Sequence, residues 1–416
     1  MKIGLNTVAV IGGGAAGMMA AGAAAEHGAN VVLLEKNAAL GKKMLLTGGG
    51  RCNITNNADV ADFVGKVLRN PNFLYSALYG FDSAALRDFL RRNGLATKVE
   101  DGGRVFPVTE DAADAVSVFV RYLRSVGVEI LLNAAVAEII SQDLRKFVVK
   151  LADGREIAVD AVIIATGGLS APHTGATGDG YRLARGLGHD VTKLHPSIVP
   201  LTVQKPDVSG LMGLSLTDVG LVAKRDGKTV YKDFGDIIFT HFGLSGPVAL
   251  RASAFLARHL HLPHEIYLDF APQQSTKDLD SDILEIFGKN PNRDVKNCLT
   301  ERLSARLAAA ILAATDIDED TKARDVTKEA RKALCCNIKA FRLEISGSVG
   351  FGAAVITCGG VNCDEVDPAT MQSKLVPGLY FAGEVLDVDA LTGGYNLAIA
   401  FSTGRLAGKS AAKDED

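Results

Sequence analysis

Gly12-Gly13-Gly14-Ala15-Ala16-Gly17 narrows what this chain can fold into more than any other stretch. The apolar run Thr7-Val8-Ala9-Val10-Ile11 leads into it, and Val31-Val32-Leu33-Leu34-Glu35 follows an Ala-rich segment. The order predicts a strand, a tight turn, a helix and a second strand that ends in an acid. Each part suits a dinucleotide. Gly12 permits the turn, Gly14 lets the backbone approach a pyrophosphate, and Gly17 lets the helix lie close on the strand. The helix start around Ala16 offers free N–H groups and partial positive charge. Glu35 stands where a carboxylate accepts hydrogen bonds from a ribose, with Lys36 beside it. A lone Gly-x-Gly-x-x-Gly is a weak signal. Flanking strands and an acid about 20 residues on make it a strong one.

The chain has 416 residues, enough for two or three domains. Its net charge of −3 brings no global attraction to nucleic acid or to anionic membranes. There is no Trp, so aromatic contact with a flat substrate falls to Phe, Tyr or His. Six cysteines without a C-x-x-C pair form neither a disulfide framework nor a zinc site, which predicts a reduced, cytoplasmic setting and no metal.

Along the chain, helical spacing at Leu86–Asn93 and Ala112–Val126 is followed by a strand at Val128–Leu132. Lys146–Leu151 and Arg155–Val159 flank Asp153-Gly154, a hairpin signal, and Ala161–Ala165 reads as a buried strand entering Thr166-Gly167-Gly168. From about Val191 to Phe270 the pattern becomes short apolar runs, among them Ser197–Val203, Asp236–Phe239 and Glu265–Phe270, a β-rich pattern. Lys277–Val326 is charged, with helical spacing at Asp282–Phe287 and Asn297–Ala314, and Arg324–Cys335 extends it. Strand character returns at Phe341–Ser346 and Ala353–Thr357. Gly378–Glu384 reads as a strand entering a Gly turn, Leu397–Ala407 as a helix, and the residues after Gly408 as a frayed tail.

The early fingerprint and the late Gly378-Leu379-Tyr380-Phe381-Ala382-Gly383-Glu384 are together similar to flavoproteins of the glutathione-reductase-like FAD fold. The segments Gly41–Asn53, Gly383–Asp387 with Gly393–Asn396, Phe239–Pro247 and Thr370–Lys374 narrow the likeness. They resemble the BaiN/YhiN-type, aminoacetone-oxidase-like, flavoprotein family over nearly the whole chain. The resemblance implies an α/β protein. A Rossmann-like FAD-binding domain would occupy 1–190 and 353–416. An inserted β-barrel domain would occupy 191–275 and 336–352, carrying a small helical insertion at 276–335. It implies FAD as cofactor, with Glu384 near the ribityl chain and the last helix aimed at the flavin ring.

Within that frame, Arg51, Cys52 and Asn53 follow three glycines, so their backbone can approach a planar ring; Arg51 would stabilise charge on it and Asn53 would hydrogen-bond it. Thr166, Gly167, Gly383, Gly394, Tyr395 and Asn396 complete the expected cofactor pocket. Candidate proton donors are His241, in a turn after a strand, with Cys52 and Tyr395. No second Gly-x-Gly-x-x-Gly follows a strand, so a nicotinamide donor, NAD(P)H, is expected to dock transiently rather than in a domain of its own. The expected reaction is NAD(P)H-driven reduction of an activated C=C bond, in an enone or a uracil-like ring of ribosomal RNA. Two other readings are open. One is oxidation of a small amine such as aminoacetone. The other is a flavin-containing factor that binds ribosomal RNA through Lys322, Arg324, Lys328, Arg331 and Lys332 with little turnover.

Overall fold

The computed structural model describes residues 6–142, 146–315 and 317–413. The chain divides into two compact units, Met1–Pro196 with Ala354–Asp416, and Ser197–Ala353.

The first unit is built on a five-stranded sheet in the order Leu379–Phe381, Ala161–Ile164, Thr7–Ile11, Asn30–Leu34, Glu129–Leu131. All four pairings are parallel, with Val8 opposite Ala161 and Val31, and Ile163 opposite Tyr380. These strands are continuous apolar runs because a parallel sheet is covered on both faces. The helix Ala15–Glu26 is almost wholly buried, which accounts for its having no polar face. Small residues bring the last helix, Tyr395–Ala411, onto it. A Cβ on Gly404 would lie 2.4 Å from the Ala16 carbonyl oxygen, and one on Gly408 2.1 Å from that of Ala20. That helix runs on through Ala411, beyond the expected end at 407, since Ala407, Gly408 and Ala411 are themselves buried in this packing. Residues 414–416 of the expected tail lie outside the described residues.

Two antiparallel three-stranded sheets flank this core. One holds Val136–Ser141, Phe147–Leu151 and Glu156–Val159, with the turn at Asp153-Gly154 as expected and Gly154 at φ +89°. The other joins Thr55–Asn56, Arg104–Pro107 and Thr97–Val99.

The second unit is a closed barrel of six strands, Leu201–Lys205, Gly243–Ser245, Lys228–Phe239, Ser215–Arg225, His264–Asp269 and Phe341–Ser348. Pairing of the last strand with the first closes it. Between the last two strands the chain departs into the helices Thr276–Lys289, Val295–Leu299, Ala305–Ala313 and Lys328–Lys339, whose buried residues share one hydrophobic core with the barrel. Two expectations are corrected. The single helix over Asn297–Ala314 is two, because the Ser304 hydroxyl accepts the Leu307 N–H and starts a new helix. The strand over Ser197–Val203 is split: His195–Ser197 ends at Ser197, and Leu201–Lys205 begins after Ile198 at φ +52° and Pro200, which has no N–H for a ladder. No helix among the described residues is long and apolar enough to cross a membrane.

Candidate flavin site

Close packing dictates the glycine turn. A Cβ on Gly17 would stand 1.7 Å from the Gly12 carbonyl oxygen, and one on Gly12, at φ +104°, 2.6 Å from that of Ala165. Gly14 differs: nothing lies within 4 Å of its Cβ position. It is also the N-cap of Ala15–Glu26, with no side chain capping the helix. The first-turn N–H groups thus have no capping side chain, beside a glycine with room at its Cβ position, the arrangement that receives a phosphate.

Glu35 ends the second strand and is buried. One carboxylate oxygen accepts the Gly13 N–H at 2.7 Å, and the other accepts the Asn37 N–H at 2.8 Å and its Nδ2 at 2.6 Å. Three of about four acceptor positions on a carboxylate are taken, which orients the group and leaves one for a hydroxyl. Lys36 pairs with Asp179 at 2.6 Å and donates to Thr177, tying this edge to the loop after Gly175. Thr166 backs the glycine turn, its Cα 2.8 Å from a Cβ on Gly12, and Gly167 follows at φ +73°.

The two ends of the chain meet at Gly383. At φ +76°, it would place a Cβ 2.7 Å from the Ala16 Cβ, and its N–H donates to Thr403 Oγ1. Glu384, next in sequence, accepts the Thr357 N–H at 2.9 Å and Lys43 Nζ at 2.7 Å. Thr357 Oγ1 also accepts the N–H groups of Leu169 and Ser170. Lys43 and Thr357 were not singled out by sequence. Lys43 lies in the Gly41–Asn53 motif, but nothing in the spacing pairs it with an acid 341 residues away.

The loop before Asn53 is tightly wound. Gly48, Gly49 and Gly50 have φ of +59°, +69° and +88°, and Cys52, with a side chain, has +59°. No atom lies within 4 Å of a Cβ on Gly49 or Gly50. Cys52 is fully buried, and burial pushes its thiol up to about 11, so it holds its proton at neutral pH. Asn53 sits against the head of the last helix, its Oδ1 2.9 Å from a Cβ on Gly394. Asn56 Nδ2 donates to the Gly393 carbonyl at 3.0 Å, binding the two segments together. Tyr395 packs edge-on to Phe63 with centroids 5.0 Å apart, and burial raises its phenol above the usual range. Asn396 is engaged elsewhere: its amide bonds Ala390 N–H and O and the Leu391 carbonyl, so it shapes the loop before the helix.

The outer end of Arg51 is held on the small sheet. It lies over Phe106, 4.1 Å from the ring centroid, and pairs with Glu100 and Glu110. His241 belongs to the barrel unit, exposed in the turn between two barrel strands and edge-on to Phe242.

The first unit fits a dinucleotide flavin on its own terms. It has an uncapped helix with open space at Gly14, a pinned acid at each strand end, and open glycines at 49 and 50. Arg51 Nε and Asn53 Oδ1 are buried polar atoms with no hydrogen-bond partner among the described residues. Such atoms are costly unless a ligand satisfies them.

A family model described as HI0933-like protein Rossmann domain matches residues 6–410. The 3-dehydro-bile acid delta(4,6)-reductase of Clostridium scindens is 33% identical over 386 residues, 92% of this chain and 93% of that protein. The ribosomal RNA dihydrouridine synthase of Escherichia coli is 32% identical over 374 residues, 90% of each. Among solved structures, the Escherichia coli quinol fumarate reductase chain FrdA matches with a TM-score of 0.50 at 16% identity, covering 98% of this chain and 70% of that one, a likeness of fold.

Proposed function

This chain belongs to the HI0933-like family of FAD-dependent oxidoreductases, and from that premise we propose that it reduces a carbon–carbon double bond conjugated to a carbonyl, with NAD(P)H as electron source. One observation carries the reading. Two relatives at 33% and 32% identity, each matched over nine-tenths of its length, have different substrates, yet both names denote hydrogen added across such a bond. FAD would supply the hydride in this chemistry. The chain supplies the rest.

In this proposal the Gly12–Gly17 turn and its helix hold the pyrophosphate, Glu35 the ribose and Glu384 the ribityl chain. Arg51 and Asn53 face the ring. Hydride addition at one carbon leaves charge on the carbonyl oxygen and requires a proton at the other carbon. Tyr395, at the head of the last helix, keeps its phenol proton at neutral pH because burial disfavours the phenolate. We assign the proton to it. The reading of an RNA-binding factor with little turnover draws less support. Of its five basic residues, Lys322 pairs with Asp294, Arg331 with Asp280 and Arg324 with Asp325, so these three have acidic partners within the barrel unit.

The test is anaerobic. Oxidised enzyme mixed rapidly with NADH or NADPH should bleach, and the reduced enzyme should then be reoxidised faster by a conjugated enone or a uridine-containing RNA than by oxygen. Bleaching by neither nucleotide removes NAD(P)H as donor. Reoxidation by oxygen alone, with peroxide formed from aminoacetone, replaces the reductase with an amine oxidase.

A further inference from the structure

Three charged side chains surround the end of Arg51, making a cluster of four charges with it. Its Nη2 pairs with Glu100 and, at 3.0 Å, with Glu110; Lys98 pairs with the same two carboxylates, at 3.2 Å for Glu100. The strand Arg104–Pro107 supplies Phe106 as a floor under the guanidinium. Glu110 is held at φ +57°, an unfavoured conformation for a residue with a side chain, and its N–H donates to the Pro107 carbonyl. Cys52, the neighbour of Arg51, is likewise at φ +59°. Strained residues persist where surrounding structure over-determines them. The outer nitrogen is thus satisfied twice, while Nε is buried and has no partner among the described residues.

A guanidinium is planar, so fixing one nitrogen and one face fixes the direction of every other N–H. We propose that Glu100, Glu110 and Phe106 are positioning residues that aim the Nε–H of Arg51 at the edge of the FAD ring that gains negative charge on reduction. Nothing in the sequence links them to the site. Glu100 and Glu110 stand 49 and 59 residues from Arg51. The inference rests on FAD binding and not on which substrate is reduced.

Sign separates orientation from mere charge. Removing two carboxylates by charge alone makes the surroundings more positive, stabilises reduced FAD and raises its midpoint potential. Removing them as a clamp releases Arg51 and lowers the potential. The experiment measures the midpoint potential of FAD in the holoenzyme, with neither substrate nor NAD(P)H present. The variants are Arg51→Met, Arg51→Lys, and Glu100→Gln combined with Glu110→Gln. We expect all three to lower the potential by about 30 mV, a tenfold weaker preference for the reduced form in a two-electron couple. A purely structural clamp would shift the unfolding temperature of the apoprotein and leave the potential unmoved. A rise or no change in the double variant, or no change in Arg51→Met, overturns the proposal. If the double variant does not hold FAD, Phe106→Leu keeps all four charges and removes only the floor. It should lower the potential too, and an unchanged value again overturns the proposal. Failure of enone or uridine reduction leaves this measurement standing, so the two readings fall separately.

Discussion

At Gly17 one methyl group decides whether the first helix can lie on the first strand. Its Cβ would sit 1.7 Å from the Gly12 carbonyl oxygen, a backbone atom that cannot swing aside. Gly17→Ala must push the helix off the sheet, at about 1–3 kcal/mol of overpacking. The Gly12–Gly17 turn moves with it. We expect the variant to unfold at a lower urea concentration and to emerge from size exclusion without flavin absorbance; full retention would contradict the role given to this glycine. Gly12, Gly14, Gly17 and Glu35 were legible because each obeys a local rule of spacing. Arg51 was legible only as a type. That its outer nitrogen Nη2 is occupied by Glu100 and Glu110, while Nε is buried with no partner among the described residues, depends on two carboxylates from another part of the chain. Asn396 shows the opposite: its motif pointed to a ligand, while its amide is engaged by the backbone of Ala390 and Leu391.

Among elements, legibility followed burial. The parallel strands Thr7–Ile11, Asn30–Leu34 and Ala161–Ile164 announce themselves as apolar runs because both faces are covered. The barrel hairpin Ser215–Arg225 with Lys228–Phe239 does not, since its buried residues are few: Val219, Leu221 and Ala223 in the first strand, and only Ile237 and Phe239 in the second. Apolar patterning shows only its end, Asp236–Phe239. Its turn signal, Asp226-Gly227, has φ of +50° and +74° and suits a tight hairpin. Helix boundaries depended on single caps. Ser304 accepts the Leu307 N–H and divides what periodicity alone joins. Ser304→Ala should lower stability by about 1 kcal/mol, read as a lower urea midpoint for loss of helical signal, with flavin absorbance per folded molecule unchanged. An unaltered midpoint would mean that the break at 300–304 is set by packing instead.

For the whole molecule, the decisive contact is between the two ends of the FAD-binding unit. Strand Leu379–Phe381 extends the sheet begun by Thr7–Ile11, Gly383 meets Ala16, and the last helix closes on the first at Gly404 and Gly408. A chain ending at Ala353 keeps the entire fingerprint, Gly12 to Glu35, and loses Glu384 and Tyr395. It should retain no FAD after gel filtration; retention would show that the N-terminal fingerprint suffices. By itself the sequence determined the nucleotide turn, the acid that follows it and the class of fold, since these are set by residues within a few turns of one another. Which groups share the site was decided by tertiary structure alone. Lys43 with Glu384, Thr357 with the Gly168 turn, and Glu100 and Glu110 with Arg51 are pairings across dozens to hundreds of residues. Electrostatic and hydrogen-bond partners of that kind leave no periodicity to read, because the force between two side chains depends on their distance in space and not on their separation along the chain.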